Sequence, residues 1–125
     1  MTNATNAERR RWMLLREVGC IACFVDTGIY GTPPDMHHEV KGYRTGHSRT
    51  AALCPYHHRG VLESARFNAM IPLMHPDEKW PEAAKRLFGP SLALNPAEFR
   101  ERYGSDAHLI ALCDTEIERL EANTL

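Results

Sequence analysis

The chain has 125 residues, 43% of them hydrophobic and 25% charged, with a formal net charge of −1 at pH 7. That is enough for one domain with its own core, and it excludes a disordered polyelectrolyte and a membrane-spanning chain. The opening MTNATNAERRRW lacks the apolar stretch of a secretory signal, so the expected location is the cytoplasm. Four cysteines there read as thiolates or metal ligands rather than disulfides.

In chain order, the pattern predicts a helix over residues 5–18. Thr5 or Asn6 caps it, Trp12, Leu14, Leu15 and Val18 supply its apolar contacts, and Gly19 stops it. Arg9, Arg10 and Arg11 read as its solvated face. From Cys20 to Pro34, with Gly28, Gly31, Pro33 and Pro34, the pattern is loop. Two short extended segments within 37–53, around the turn-rich GYRTGHSR, predict a β-hairpin. Pro55 suits the first turn of a helix, expected to run to about Phe67. Pro72, Pro76 and Pro81 then break the chain into a linker. Asn95-Pro96-Ala97-Glu98 predicts a short helix closed by Gly104, with Asn95 as its cap. Ser105 opens a final helix with Leu109, Ile110, Leu112, Cys113, Ile117 and Leu120 at helical spacing. Cys113 falls on that stripe and reads as a small core residue.

Charge is uneven along the chain. Residues 37–66 carry Lys41, Arg44, Arg49, Arg59 and Arg66 against Glu39 and Glu63, a surplus of three positives. Residues 67–125 carry six basic against ten acidic side chains. The basic part is the histidine-rich middle, which suits a polyanion such as DNA but would not hold it strongly unaided.

Cys20-x-x-Cys23 and Cys54-x-x-His57 each place two soft ligands about one turn apart, and together they form a Cys3His set of the kind that binds structural zinc. No βαβ pattern surrounds the CxxC, which argues against a redox motif. The thirty residues between Cys23 and Cys54 can hold the hairpin, giving the order knuckle, hairpin, helix of a treble-clef finger.

Two His-His doublets remain. Neighbours on a helix diverge by about 100°, so if His57 serves the zinc, His58 points elsewhere. In an extended segment His37 and His38 point to opposite sides. The zinc site can bring His58 near His37, where two imidazoles could hold a second divalent ion and leave His38 as a base. His47, in the basic turn, is a candidate phosphate contact. His75 and Arg59 are further accessory candidates, and His108 reads as an ordinary surface residue. His38-Glu39 begins HExxH, but Gly42 stands where that metalloprotease motif needs its second histidine.

These residues carry a family resemblance. HHEVKGYRTGHSRTAALCPYHHRG resembles the core of HNH nucleases, whose hairpin and helix wrap a catalytic metal in the ββα-metal fold. FGPSLALNPAEFRERYGSDAHLI resembles the tail of the phage Ref family, the recombination enhancement, RecA-dependent nucleases. In that family, too, a CxxC precedes the HH motif, LCxxHHRG follows, and GPSLA and FRxxYG come after. The resemblance spans roughly Cys20 to Leu112. The chain departs from some relatives in lacking a long basic N-terminal extension and in a longer connection over residues 61–88.

The resemblance implies an α+β fold in a single domain over 1–125: a treble-clef/ββα-metal (HNH) core at 20–67 between the N-terminal helix and a C-terminal helical region at 81–121. It implies structural Zn2+ on Cys20, Cys23, Cys54 and His57. His37 and His58 would bind a catalytic Mg2+ or other divalent cation, with His38 as general base. The implied partners are DNA and a RecA-type filament, with no membrane, in the cytoplasm of a bacterial host. The competing readings are a non-catalytic treble-clef module that binds DNA or a protein partner, and a plain zinc-stabilised protein. The duplicated His-His favours the enzyme, because the structural set is complete without His37, His38 and His58.

Overall fold

The computed structural model describes residues 4–39 and 49–123 and has an α+β architecture. Seven α-helices surround one two-stranded antiparallel sheet among the described residues. Helix α1 spans Asn6–Val18 and opens with a reciprocal capping box, Thr5 with Glu8. Its Leu15 and Val18 are fully buried, but Arg11 does not belong to a solvated face. The Arg11 guanidinium donates to the Thr50 carbonyl at 2.6 Å and pairs with Asp114, so it holds the start of a strand against the last helix.

The stretch expected to be loop after Cys20 contains helix α2, Ile21–Thr27. Cys20 stands at its N-cap, where its Sγ accepts the Cys23 N–H at 3.4 Å, a helix start that the loop-forming Gly28 and Gly31 further on do not prevent. Gly28 ends the helix in the left-handed conformation.

Strands β1 (Asp35–His38) and β2 (Thr50–Leu53) pair with Asp35 opposite Leu53 and His37 opposite Ala51. The first strand begins two residues earlier than expected. The stretch expected to be a turn, with Lys41, Arg44 and His47, lies outside the described residues. Strand β2 is fully buried, packed against α1, α2 and α7 (Asp106–Asn123), and its Ala51 and Ala52 let the helices approach closely. β1 is only partly buried along its length, which leaves its histidines within reach of solvent.

The helix at Pro55 is shorter than expected. α3 covers Pro55–Arg59 and stops at Gly60, whose φ of 72° is left-handed; α4 then restarts at Ser64–Met70. The predicted linker is also more structured. Pro72 sits in a single 3-10 turn, and Pro81 lies in the first turn of α5, Trp80–Phe88, where its missing N–H costs nothing. α6 spans Pro96–Tyr103 with Asn95 at its N-cap as expected, but the Asn95 side chain makes no capping hydrogen bond; its Oδ1 instead accepts the Ser91 N–H at 3.3 Å. In α7, Leu109, Ile110, Cys113 and Ile117 are buried. Buried Glu116 joins them because Tyr30 and Arg119 satisfy its carboxylate. No described helix is long and apolar enough to cross a membrane.

Candidate metal centres

The two CxxC-like knuckles are built alike. Cys54 caps α3 as Cys20 caps α2, its Sγ accepting the His57 N–H at 3.4 Å. Each cap turns the fourth residue of its motif back toward the first, so the spacing alone aims two ligands at one point. Gly19 seats the first knuckle against the segment before β1: at φ 76° its backbone lies against residues 31 and 32, and the Cys20 N–H donates to the Thr32 carbonyl at 2.9 Å.

The ligand atoms of Cys20, Cys23, Cys54 and His57 all lie within 4.8 Å of one another, and all four residues are buried. His57 Nδ1 is 3.5 Å from the Cys20 and Cys23 sulfurs and 3.3 Å from Cys54 Sγ; Cys23 and Cys54 Sγ are 4.0 Å apart. A tetrahedral ion with ordinary zinc bond lengths would require edges of about 3.6 Å for S to N and about 3.8 Å for S to S. The donor set fits such an ion.

The electrostatics point the same way. Burial pushes the Cys20 thiol well up, whereas hydrogen bonds from Cys20 and Cys23 hold Cys54 far below the usual thiol range. Burial works to lower the His57 pKa, but its hydrogen bonds to Cys23 and Cys54 outweigh that and raise it to about 9. The centre of the cluster therefore favours positive charge. The far side of His57 is fixed: Nε2 donates to the Phe88 carbonyl at 2.8 Å, leaving the Nδ1 lone pair for the cluster. Tyr103 Oη lies 3.4 Å from the same Nε2 and donates to Asp26 at 2.7 Å. Arg66 covers the sulfurs, 3.3 Å from Cys54 Sγ and 3.7 Å from Cys23 Sγ, and its guanidinium stacks 4.1 Å from the Phe88 ring centre.

A second group lies where β1 meets α3. His37 Nδ1 is 3.3 Å from His58 Nε2, the rings meeting edge to face. Two imidazoles sharing one divalent ion at ordinary bond lengths have nitrogens about 3.0–3.4 Å apart, so this pair fits an ion as well. The opposite nitrogens face carboxylates: His37 Nε2 is 2.8 Å from Asp106 Oδ1, and His58 Nδ1 is 3.4 Å from Asp35 Oδ2. Arg100 reaches the same Asp106 oxygen at 2.7 Å, and Arg59 reaches Asp35 at 2.7 Å. Burial and then the neighbouring His37 push His58 below its ordinary pKa, against the pull of Asp35, which keeps its nitrogen available as a ligand. Burial tends to raise the Asp106 carboxyl, but His37 and Arg100 outweigh it and hold it below its ordinary value, as a carboxylate.

His38 is the next residue on β1 and partly buried; alternation along the strand turns it away from the face that His37 shares with His58. Glu39 is buried and held by Arg49 through two 3.1 Å contacts. Arg59 is 56% exposed beside the histidine pair. His75 is exposed in the turn after the 3-10 segment, its N–H donating to Glu78, and His108 is exposed on α7. His47 lies outside the described residues.

Sequence reading missed Asp35, Arg66, Arg100, Tyr103 and Asp106 as members of these sites. Asp106 resembles any acid at a helix start, and Arg66 any charged surface residue. The one available signal was the FRxxYG pattern over residues 99–104, which contains both Arg100 and Tyr103.

A search of curated proteins returned no match. The sequence model described as "Recombination enhancement, RecA-dependent nuclease" matches residues 4–118, nearly the whole chain. The chain belongs to the recombination enhancement, RecA-dependent nuclease family.

Proposed function

We propose that this chain is a metal-dependent HNH DNA endonuclease of phage or prophage origin, acting in the bacterial cytoplasm on DNA presented by a RecA filament. The observation that carries this reading is the pairing of His37 with His58, 3.3 Å apart, beside a Cys3His cluster already complete without them. In this reading residues 20–67 form a treble-clef/ββα-metal core within a single domain, and Cys20, Cys23, Cys54 and His57 hold a structural zinc.

His37 and His58 would hold Mg2+ or another divalent cation. When bound, that ion supplies Lewis-acid stabilisation of charge on the phosphate and the leaving 3′-oxygen. His38, outside the ligand pair, takes the proton of the attacking water as general base, since an imidazole titrates near neutral pH. Exposed Arg59 contacts a phosphate oxygen next to the scissile bond.

Weak intrinsic DNA affinity supports dependence on a filament. The net charge is −1 and the basic surplus of residues 37–66 is only three, so few phosphate contacts release counterions and binding to naked DNA is weak. The test is cleavage of duplex and single-stranded DNA with Mg2+ or Mn2+, with and without a RecA filament and ATP, at physiological salt. Cutting should be slow on naked duplex, rise strongly with the filament, and be mostly lost in His38→Ala at unchanged zinc content and melting. Equal cutting by wild type and His38→Ala would remove His38 as base. Equal rates with and without filament would make this a free-standing nuclease, and no metal-dependent cutting at all would leave a binding module.

A further inference from the structure

The helices after the core do more than pack. Asp106, 69 positions from His37 in sequence, places its carboxylate 2.8 Å from His37 Nε2, and both side chains are only 12% exposed. An acid at the first position of a helix ordinarily serves that helix, but the Ser105 hydroxyl already accepts the His108 N–H at 3.1 Å. The Asp106 side chain is turned to the histidine instead. Arg100, on α6, grips the same oxygen at 2.7 Å and prevents it from swinging back.

We propose that Asp106 is a positioning residue that accepts the Nε2–H of His37 and so fixes the tautomer and ring plane that aim the Nδ1 lone pair at the point facing His58. Asp35 does the same, more weakly, for His58, from 3.4 Å and with 30% of its side chain exposed. An imidazole has two nitrogens pointing in opposite directions, so occupying one with a carboxylate selects the other as ligand. It also makes that ligand more basic. A ring flip of His37 would cost this hydrogen bond and leave the largely buried carboxylate with one donor fewer. The arrangement ties the C-terminal helices to the histidine pair: α6 supplies Arg100 and α7 supplies Asp106. This inference rests on the reading of His37 and His58 as ligands of a divalent ion.

The test uses the zinc-loaded full-length protein and Mn2+ as probe, with free Mn2+ followed by its electron paramagnetic resonance signal. Wild type should bind one Mn2+ that His58→Ala loses. Asp106→Ala should bind it about 10–100-fold more weakly, as for other carboxylates behind a ligand histidine. Asp106→Asn should fall between the two, and Asp35→Asn should lose less than Asp106→Asn. Zinc content should stay at one per chain throughout. In parallel, nitrogen-15 NMR of the histidine rings should show His37 in wild type as the Nε2–H tautomer, a measurement that needs no variant to fold.

Failure of each claim is separable. If wild type and His58→Ala bind Mn2+ alike, the ligand reading itself falls and this inference with it. If His58→Ala loses the ion while Asp106→Ala and Asp106→Asn keep wild-type affinity, the ligands stand and the role of Asp106 is overturned. An Nδ1–H tautomer for His37 overturns it as well.

Discussion

Replacing Arg66 tests whether the Cys3His cluster is electrically completed by the protein. Three thiolates and a divalent zinc sum to −1, and in a buried site that charge needs a partner. Arg66 is that partner, two nitrogens on the Cys54 and Cys23 sulfurs at 3.3 and 3.7 Å and its plane over Phe88 at 4.1 Å. Hydrogen bonds to charged groups contribute about 1.5–3 kcal/mol, and a partly desolvated cation over a ring about 1 kcal/mol more. Arg66→Met keeps much of the aliphatic stem and loses the charge, so a cost of about 3 kcal/mol is expected. For a domain of this size, at about 4 °C per kcal/mol, the melting temperature should fall by about 12 °C. Zinc should also pass faster to a chromogenic chelator. Arg66→Lys should lie between, since an ammonium keeps the charge but neither bridges two sulfurs in a plane nor stacks as well. Because the contact is half-buried, the loss should persist in high salt. If Arg66→Met melts with wild type and releases zinc at the same rate, the counter-charge argument is wrong.

Three further predictions concern folding. Cys54→Ser should lose zinc and fail to fold, because the ion contributes directly to the stability of such a site; Cys113→Ser should retain zinc and fold. Burial pushes the Cys113 thiol up to about 11, so in the folded wild type it should resist iodoacetamide at pH 8 and react only after unfolding, as mass spectrometry of the alkylated protein would show. Gly19→Ala and Gly28→Ala contrast two glycines with φ above 70°, Gly28 left-handed at ψ 10° and Gly19 at ψ −165°, a region that only glycine adopts readily. A Cβ on Gly19 would sit 2.5 Å from the Thr32 nitrogen, whereas one on Gly28 would meet nothing within 4 Å. Denaturant melts should show a loss of about 1 kcal/mol for Gly28→Ala and clearly more, about 3 kcal/mol or above, for Gly19→Ala. Equal losses would mean that neither the approach of the 31–32 segment nor the backbone region of Gly19 adds to the cost.

What could be read from the residues in order is what depends on near neighbours. Thr5 with Glu8, Pro96 at a helix start, Ser105 before the last helix and the two four-residue knuckles all work through contacts within one turn, so spacing specifies them. The same locality explains the errors. A cysteine at a helix cap does not resemble the usual serine or aspartate, so α2 passed for loop, and Pro81 marks a helix start as readily as a break. Gly60 ends α3 because the chain must turn there beneath Leu94, a neighbour 34 positions on. Arg66 over the sulfurs, the Phe88 carbonyl and Tyr103 behind His57, and Asp106 behind His37 are contacts between elements far apart in sequence. No periodicity encodes them, because an arginine or aspartate has the same local preferences whether it faces water or a buried ligand. Packing of α1, α2 and α7 on the two alanines of β2 decides which of those charges are brought inward. The ligands belong to the sequence, and the side chains that aim and neutralise them belong to the fold.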